Sequence, residues 1–354
     1  MSPAPERPRP PWRYLLTALG LFAVWSNSFV AASYLLGTEG APARFDWVGL
    51  SVARFAPVAP LCLGYCLLFR RRETVAIVRR HPLRLAAGGL LAVPAYNLAL
   101  YFGQQHGVPP PVASLTTALL PLFVLLLAAA FLGERLTRRR IAAFVVALAG
   151  LVLIALSKGD PRAAAGYGSV LGVTALAPLS WSLYSIVSKP VTESASPLVW
   201  TYLTIAAGGL PLLVLLPWSG GAEMLALPAG GWAALLYLSV LCTMAGYAVW
   251  VRLLRHLPAS TVGFTVFLNP PLTTVSKLAL ALAFPATFVW RTDPLEWLGG
   301  GLALAGLALA AWPGRRAGGD RAADDRTAGG LTAPGGGVDS ADHVPPADAR
   351  GLPL

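Results

Sequence analysis

The sequence predicts an all-α integral membrane protein with ten transmembrane helices in two inverted five-helix repeats. The first observation is composition: 56% of the 354 residues are hydrophobic and 12% are charged, about half the charged fraction of a soluble domain. The second is a series of long apolar runs, and the third is a sequence similarity between the two halves of the chain. This composition excludes a disordered chain and argues against a soluble enzyme.

The apolar runs define the elements in chain order. Each approaches the length that spans a hydrocarbon core of about 30 Å at 1.5 Å per residue, although the fifth and tenth are short. The predicted spans are residues 14–36, 47–69, 83–103, 111–132, 141–156, 168–188, 197–216, 231–251, 261–284 and 295–312. The predicted domains are a proline-rich cytoplasmic segment 1–13, the repeats 14–157 and 168–312, and a disordered cytoplasmic tail 313–354.

The basic residues predict the orientation of these spans. The net charge is +11, and the isoelectric point is near 10.1. Eighteen Lys and Arg residues flank the spans on one side and four on the other, which is a positive-inside pattern. Both termini are therefore predicted to be cytoplasmic, in a bacterial inner membrane. The same pattern explains the basic charge without a nucleic-acid partner.

An internal repeat relates the two halves. Residues 97–121 align without gaps on residues 246–270, an offset of 149, and this pairs Tyr101 with Trp250 and Pro121 with Pro270. Because five spans is an odd number, the second half must cross the membrane in the opposite orientation. Inverted repeats are typical of secondary transporters, which bind their substrates between the repeats near the midplane.

Three short segments carry a family resemblance. They are Trp25-Ser26-Asn27-Ser28-Phe29-Val30, Ala53-Arg54-Phe55 and Gly133-Glu134-Arg135-Leu136-Thr137. In this order they resemble EamA-type proteins of the drug/metabolite transporter superfamily, over residues 14 to 312. The resemblance implies a carrier whose cavity is lined mainly by spans 1, 3, 4, 6, 8 and 9. It also favours an inner-gate role for Glu134, whereas the residues alone indicate a salt-bridged helix end.

Two basic residues lie well inside predicted spans. Arg54 and Lys277 each fall about 10 Å below the outer end of a span. No Asp or Glu is firmly within any predicted span to pair with them. Since charge inside a membrane is costly and usually functional, one reading is that they attract an anionic group in a cavity. The alternative is that they extend toward the outer interface.

Prolines, polar groups and aromatic rings complete the candidate cavity. Pro121 and Pro270 are predicted to kink spans 4 and 9 beside a central cavity. The alternative is that the kinks serve helix packing alone. Asn269, which precedes Pro270, is the polar cavity candidate at the second kink. The other cavity candidates are polar or aromatic side chains of the matched helices: Trp25, Asn27, Asn97, Tyr101, Thr117, Trp181, Tyr184, Tyr247 and Trp250. Core packing or interface anchoring is the alternative for the aromatic residues.

No catalytic, metal or cofactor site is predicted, because the sequence contains no HExxH, GxSxG or P-loop motif and its three cysteines lack metal-site spacing. We expect a secondary transporter of small metabolites, amino-acid-like or anionic and amphipathic, that exports them by alternating access. A channel-like facilitator and an integral membrane enzyme are the alternatives. The expected partners are a small-molecule substrate and the lipid bilayer. Oligomeric state, substrate and coupling ion stay open.

Overall fold

A computed structural model describes residues 11–37, 42–106, 116–117, 119–134, 136–156, 168–269 and 294–311, together with residues 272, 275, 278 and 282. Every regular element in these residues is helical. The α-helices are α1 (Pro11–Trp25), α2 (Ser28–Leu36), α3 (Trp47–Phe55), α4 (Val58–Phe69), α5 (Arg71–Arg80), α6 (Pro82–Leu90), α7 (Tyr96–Gln105), α8 (Leu120–Leu132), α9 (Arg138–Leu156), α10 (Gly168–Ser194), α11 (Pro197–Leu212), α12 (Gly221–Leu225), α13 (Ala229–Leu236), α14 (Gly246–His256), α15 (Ala259–Phe264) and α16 (Pro294–Ala311).

The described part of the chain also contains two π-helical segments and two short 3₁₀ turns. The first π segment, Leu91–Ala95, joins α6 to α7, and the second, Tyr237–Ala245, joins α13 to α14. The 3₁₀ turns are Leu213–Leu215 and Thr265–Leu268. The repeat offset of 149 residues carries the first π segment onto residues 240–244, which lie inside the second. The two halves therefore carry the same irregularity at matched positions.

Within the described residues, five helical runs are long and apolar enough to cross a membrane. They are Trp12–Leu36, Trp47–Phe69, Pro82–Gln105, Pro197–Leu215 and Ala229–His256. Shorter apolar helices cover Leu120–Leu132, Ala259–Leu268 and Trp297–Ala310. Large apolar side chains also cover the outside of the bundle, as expected for a surface that faces lipid. Examples are Leu61, Leu68, Phe69, Leu126, Phe131 and Leu176.

The first two predicted spans are each interrupted, which periodicity did not predict. Asn27 Nδ2 donates to Ala23 O at 3.1 Å and Ser28 Oγ donates to Trp25 O at 2.7 Å. Such local bonds compete with the helical ladder and separate α1 from α2. Between α3 and α4, Pro57 has no N–H to donate, and the helix breaks there.

The prolines predicted as kinks have different outcomes. Pro121 lies in the first turn of α8, just after a turn at Leu119 that follows the helical residues 116 and 117. Proline is well tolerated in a first turn because its missing N–H would have no intrahelical partner. Pro270, Lys277 and the predicted tail 313–354 lie outside the described residues.

Close helix packing joins the two halves. Among the described helices, α9 packs most extensively on α16, and α10 packs on α7 and α8. A Cβ added to Gly306 of α16 would lie 2.6 Å from Ala143 O. A Cβ added to Gly89 of α6 would lie 2.8 Å from Gly208 N of α11. These backbones are so close that only glycine fits, as is common where helices pack in membranes.

Gly89→Ala is expected to destabilise the protein by about 1–3 kcal/mol, because the added methyl group would overlap the backbone of α11. Thermal unfolding in detergent measures this effect. Gly64→Ala is the matched control, since a Cβ at Gly64 would meet nothing within 4 Å. Alanine also favours a helix over glycine, so the control is expected to be neutral or stabilising. Equal melting temperatures for the two variants would contradict the packing argument.

Candidate functional site

A cavity lies between the two halves of the protein. Its volume is about 50 Å³, counted as the space that the centres of water molecules can occupy. This is room for several waters. Residues from α1, α2, α3, α7 and α8 line it from the first half, and residues from α10, α14 and the segment after α15 line it from the second. The lining residues are Phe22, Trp25, Ser28, Phe29, Ala32, Arg54, Tyr96, Leu100, Tyr101, Gln104, Thr117, Leu120, Trp181, Tyr247, Val266 and Asn269.

Arg54 is the charged group among the described residues that line this cavity, and it is only 5% exposed. Its Nε donates to Thr243 Oγ1 at 2.9 Å. Its Nη1 donates to Asn97 Oδ1 at 3.0 Å and to Tyr101 OH at 2.6 Å. No Asp or Glu pairs with Arg54 among the described residues, and Nη2 makes no hydrogen bond with them. The guanidinium is therefore held by neutral acceptors and keeps donor capacity for an anion.

The acceptors of Arg54 are oriented by the π segments. Asn97 Nδ2 donates to Val93 O at 2.8 Å, and Thr243 Oγ1 donates to Leu238 O at 2.8 Å. With their hydrogens directed at these carbonyls, the side-chain oxygens of Asn97 and Thr243 face Arg54. A π-helix leaves some backbone carbonyls without their usual N–H donors, so these carbonyls can accept hydrogen bonds from side chains.

Side chains of each half also bond carbonyls in the π segment of the other. Tyr247 OH donates to Ala92 O at 3.2 Å, and Ser180 Oγ donates to Leu91 O at 2.8 Å. In the reverse direction, Trp25 Nε1 donates to Cys242 O at 2.9 Å. These bonds connect the backbone of each half to the other beside the cavity.

Aromatic rings form one wall of the cavity. The ring centroids of Trp181 and Tyr247 are 4.5 Å apart, and those of Trp25 and Trp181 are 5.5 Å apart. Tyr96 lies 5.1 Å from Trp181. This wall combines apolar area with π faces that attract cations, so the cavity offers one cationic pole and an aromatic surface.

The candidates named from sequence fall into three groups. Seven of them line the cavity: Trp25, Arg54, Tyr101, Thr117, Trp181, Tyr247 and Asn269. Asn97 lies behind Arg54 as one of its acceptors. Asn27, Tyr184 and Trp250 belong to the surrounding structure, and Lys277 lies outside the described residues.

Besides Asn97, three described candidates do not line the cavity. Asn27 bonds Ala23 O at the break between α1 and α2. Tyr184 is buried and hydrogen-bonded to Thr204 Oγ1 at 3.5 Å, and Trp250 Nε1 donates to Ser185 Oγ at 3.0 Å. Both rings pack behind the aromatic wall because they lie on faces of α10 and α14 that turn away from the cavity.

Sequence reasoning did not single out Gln104, Thr243 or Ser28. Gln104 follows Asn97 and Tyr101 at helical spacing, and that spacing is the signal that places all three on one face of α7. Thr243 lies inside a continuous apolar run, where periodicity gives no signal. Ser28 belongs to the segment from Trp25 to Val30 that carries the family resemblance, but nothing in that segment indicates that its side chain faces the cavity.

Glu134 lies in a separate polar cluster after the end of α8. Its Oε1 accepts from Ala259 N at 2.6 Å, and its Oε2 accepts from Ser260 N at 3.4 Å and from Ser260 Oγ. Arg140 Nη1 forms an ion pair with Oε2 at 3.4 Å. The carboxylate thus caps the start of α15, where free backbone N–H groups favour an anion. It connects the first half of the chain to the second.

Thr243→Val is expected to cost about 1–3 kcal/mol of stability, because Arg54 Nε would be left buried without its acceptor. In an Arg54→Met background the same change is expected to cost far less. Thermal unfolding of the four proteins in detergent gives the coupling energy. Thr174→Val is the matched control, since that buried hydroxyl donates to Val170 O instead. Purely additive effects of Arg54→Met and Thr243→Val would contradict the network.

Known proteins with similar sequences cover most of the chain. A model of the EamA-like transporter family matches twice, over residues 12–156 and 168–312. A protein of Streptantibioticus cattleyicolor called "Probable terminal-alkyne amino-acid exporter" is 31% identical over 321 residues, 86% of this chain and 98% of that protein. An uncharacterized inner membrane transporter of Escherichia coli K12, YedA, is 23% identical over 266 residues, 73% of this chain and 81% of that protein.

One solved structure supports the fold. A crystal structure with 20% sequence identity superposes with a TM-score of 0.60 and covers 84% of this chain and 96% of its own. At this identity it shows a shared helical architecture only. The sequence relatives and the repeated family match also identify the family. The chain belongs to the EamA-like transporter family, within the drug/metabolite transporter superfamily of multi-pass membrane proteins.

Proposed function

We propose that this transporter exports small amino-acid-like carboxylates across the bacterial cytoplasmic membrane by alternating access. The observation that carries the proposal is Arg54, a buried cation that has no carboxylate partner among the described residues and lies in an aromatic cavity between the halves. A carboxylate of the substrate would supply the missing anion. The name of the Streptantibioticus relative, an amino-acid exporter, supports the same substrate class.

The proposed architecture has ten spans in two inverted repeats with both termini in the cytoplasm. The positive-inside pattern of Lys and Arg supports this orientation. The matched π segments support a twofold relation between the halves. In an inverted repeat the binding site lies between halves that can rock around it, so access can alternate from one side to the other.

Arg54→Gln is expected to lower kcat/KM for transport about 10- to 100-fold, since a hydrogen bond between charged groups would be lost. The measurement is counterflow of a radiolabelled mixture of neutral α-amino acids in proteoliposomes. Arg252→Gln, which removes an exposed arginine of α14, is the matched control and is expected to retain activity. Absence of wild-type counterflow for every amino acid would contradict the substrate class. Ohmic conductance in place of saturable counterflow would indicate a channel.

We also propose that the Glu134 cluster closes the cytoplasmic end of the transport path. Its bonds to Ala259 and Ser260 join α8 to α15 across the two halves. Val124, farther back along α8, packs against Gly263 of α15. Opening toward the cytoplasm would therefore require both the polar cluster and this contact to separate.

Glu134→Ala is expected to speed labelling of a cysteine placed at Val124 about tenfold, because the closed state loses hydrogen bonds to a charged group. A hydrophilic maleimide applied to inside-out vesicles measures the rate, after the buried Cys62, Cys66 and Cys242 are replaced by alanine. Glu223→Ala is the matched control, since that carboxylate accepts from Gly220 N in the turn before α12. Equal labelling rates in the two variants would contradict the gate.

A further inference from the structure

Gln104 has an unusual place in the cavity. Its side chain is 2% exposed, and neither its amide nitrogen nor its amide oxygen has a hydrogen-bond partner among the described residues. It nevertheless lines the same cavity as Arg54. Buried polar groups in proteins are almost always hydrogen-bonded, so an amide with both atoms unpaired requires an explanation. A ligand that bonds it would provide one.

The position of Gln104 relative to Arg54 follows from the geometry of α7. Asn97, Tyr101 and Gln104 are spaced by four and three residues, so they share one face of the helix. The first two bond Arg54 directly. Gln104 lies one turn farther along, about 4.5 Å beyond Tyr101 on the helix axis. The guanidinium and the free amide are therefore neighbours within one small cavity.

These two groups differ in what they can bind. The Nη2 of Arg54 can only donate, so it suits a carboxylate. The amide oxygen of Gln104 can accept from a donor on the ligand, and the aromatic wall beside it attracts a cation. Neither Asp nor Glu is among the described lining residues, so a ligand ammonium would be held by a neutral acceptor and π faces. An α-amino acid carries both groups, a carboxylate and an ammonium, on the same carbon atom.

We infer that Gln104 is the specificity-determining residue that recognises the ammonium group of an α-amino acid, while Arg54 holds its carboxylate. This inference rests on the proposed function and adds to it the residue that distinguishes an amino acid from a simple carboxylic acid. A carboxylate without the ammonium has no donor for the amide oxygen of Gln104, which would stay buried and unpaired. Sites built to hydrogen-bond a ligand group reject analogues that lack it for this reason.

The test compares two probes that differ only in the ammonium group, norvaline and pentanoate. Their dissociation constants are measured by titration calorimetry on the purified full chain in nanodiscs. The wild-type protein is expected to bind norvaline at least about tenfold more tightly than pentanoate. Gln104→Leu is expected to weaken norvaline binding about 10- to 100-fold and to change pentanoate binding by less than about twofold.

Gln105→Leu is the matched control. Gln105 is the next residue of α7, but its Oε1 accepts from Trp47 N at 2.7 Å and it does not line the cavity. This variant is expected to leave the ratio of the two dissociation constants unchanged. Gln104→Leu is expected to melt no lower than wild type, because it removes no bond within the described protein, whereas Gln105→Leu removes one. Gln104→Met serves as a second variant if leucine does not fold.

Three outcomes would overturn the inference. Equal weakening of norvaline and pentanoate by Gln104→Leu would assign Gln104 a general packing role, with the proposed function intact. Unchanged norvaline binding in Gln104→Leu would remove its role altogether. A wild-type protein that binds pentanoate but does not prefer norvaline would show that the ammonium is not recognised. A wild-type protein that binds neither probe would contradict the proposed carboxylate site itself.

Discussion

The burial of a guanidinium cation, without a carboxylate partner in the described structure, is the constraint on which the centre of this protein depends. A buried charge costs several kcal/mol even after relaxation, unless its donors are bonded. Thr243, Asn97 and Tyr101 supply the acceptors for Arg54, at 2.6 to 3.0 Å. Two of these acceptors are aimed by carbonyls of the π segments or beside them. The π-helical backbone therefore orients neutral dipoles around the charge of Arg54.

The same charge couples the two halves of the chain. Thr243 belongs to the second half, whereas Asn97 and Tyr101 belong to the first. Movement of one half relative to the other would remove at least one acceptor from Arg54. An anion in the cavity could compensate for that loss, because Nη2 has no bond to the described residues. Arg54 then links the free energy of anion binding to the relative position of the two halves. A ligand can shift an equilibrium between two conformations only when its contacts differ between them.

Sequence alone identified much of this arrangement, and the failures have physical causes. Arg54 stood out because charge is rare in an apolar run, and Trp25, Trp181 and Tyr247 stood out as aromatic residues on helices matched between the repeats. Tyr184 and Trp250 had the same signal but lie behind the wall, because a helix that is apolar all round does not reveal which face meets the cavity. Gln104 lies at the end of a span, where a polar residue usually meets solvent, and only tertiary packing buries it.

The charged groups near the two ends of α8 differ in how fully they are hydrogen-bonded. Leu120 at its start lines the cavity, and Leu132 at its end lies about 18 Å away along the axis, just before Glu134. Near the cavity, the cation is surrounded by neutral groups and retains free donors. At the other end, Glu134 already has bonds to Ala259, Ser260 and Arg140. A group with spare capacity is suited to meet a ligand, whereas a satisfied group is suited to hold helices together. The described conformation therefore leaves Arg54 with spare donors beside the cavity and Glu134 fully engaged where it bonds the second half of the chain.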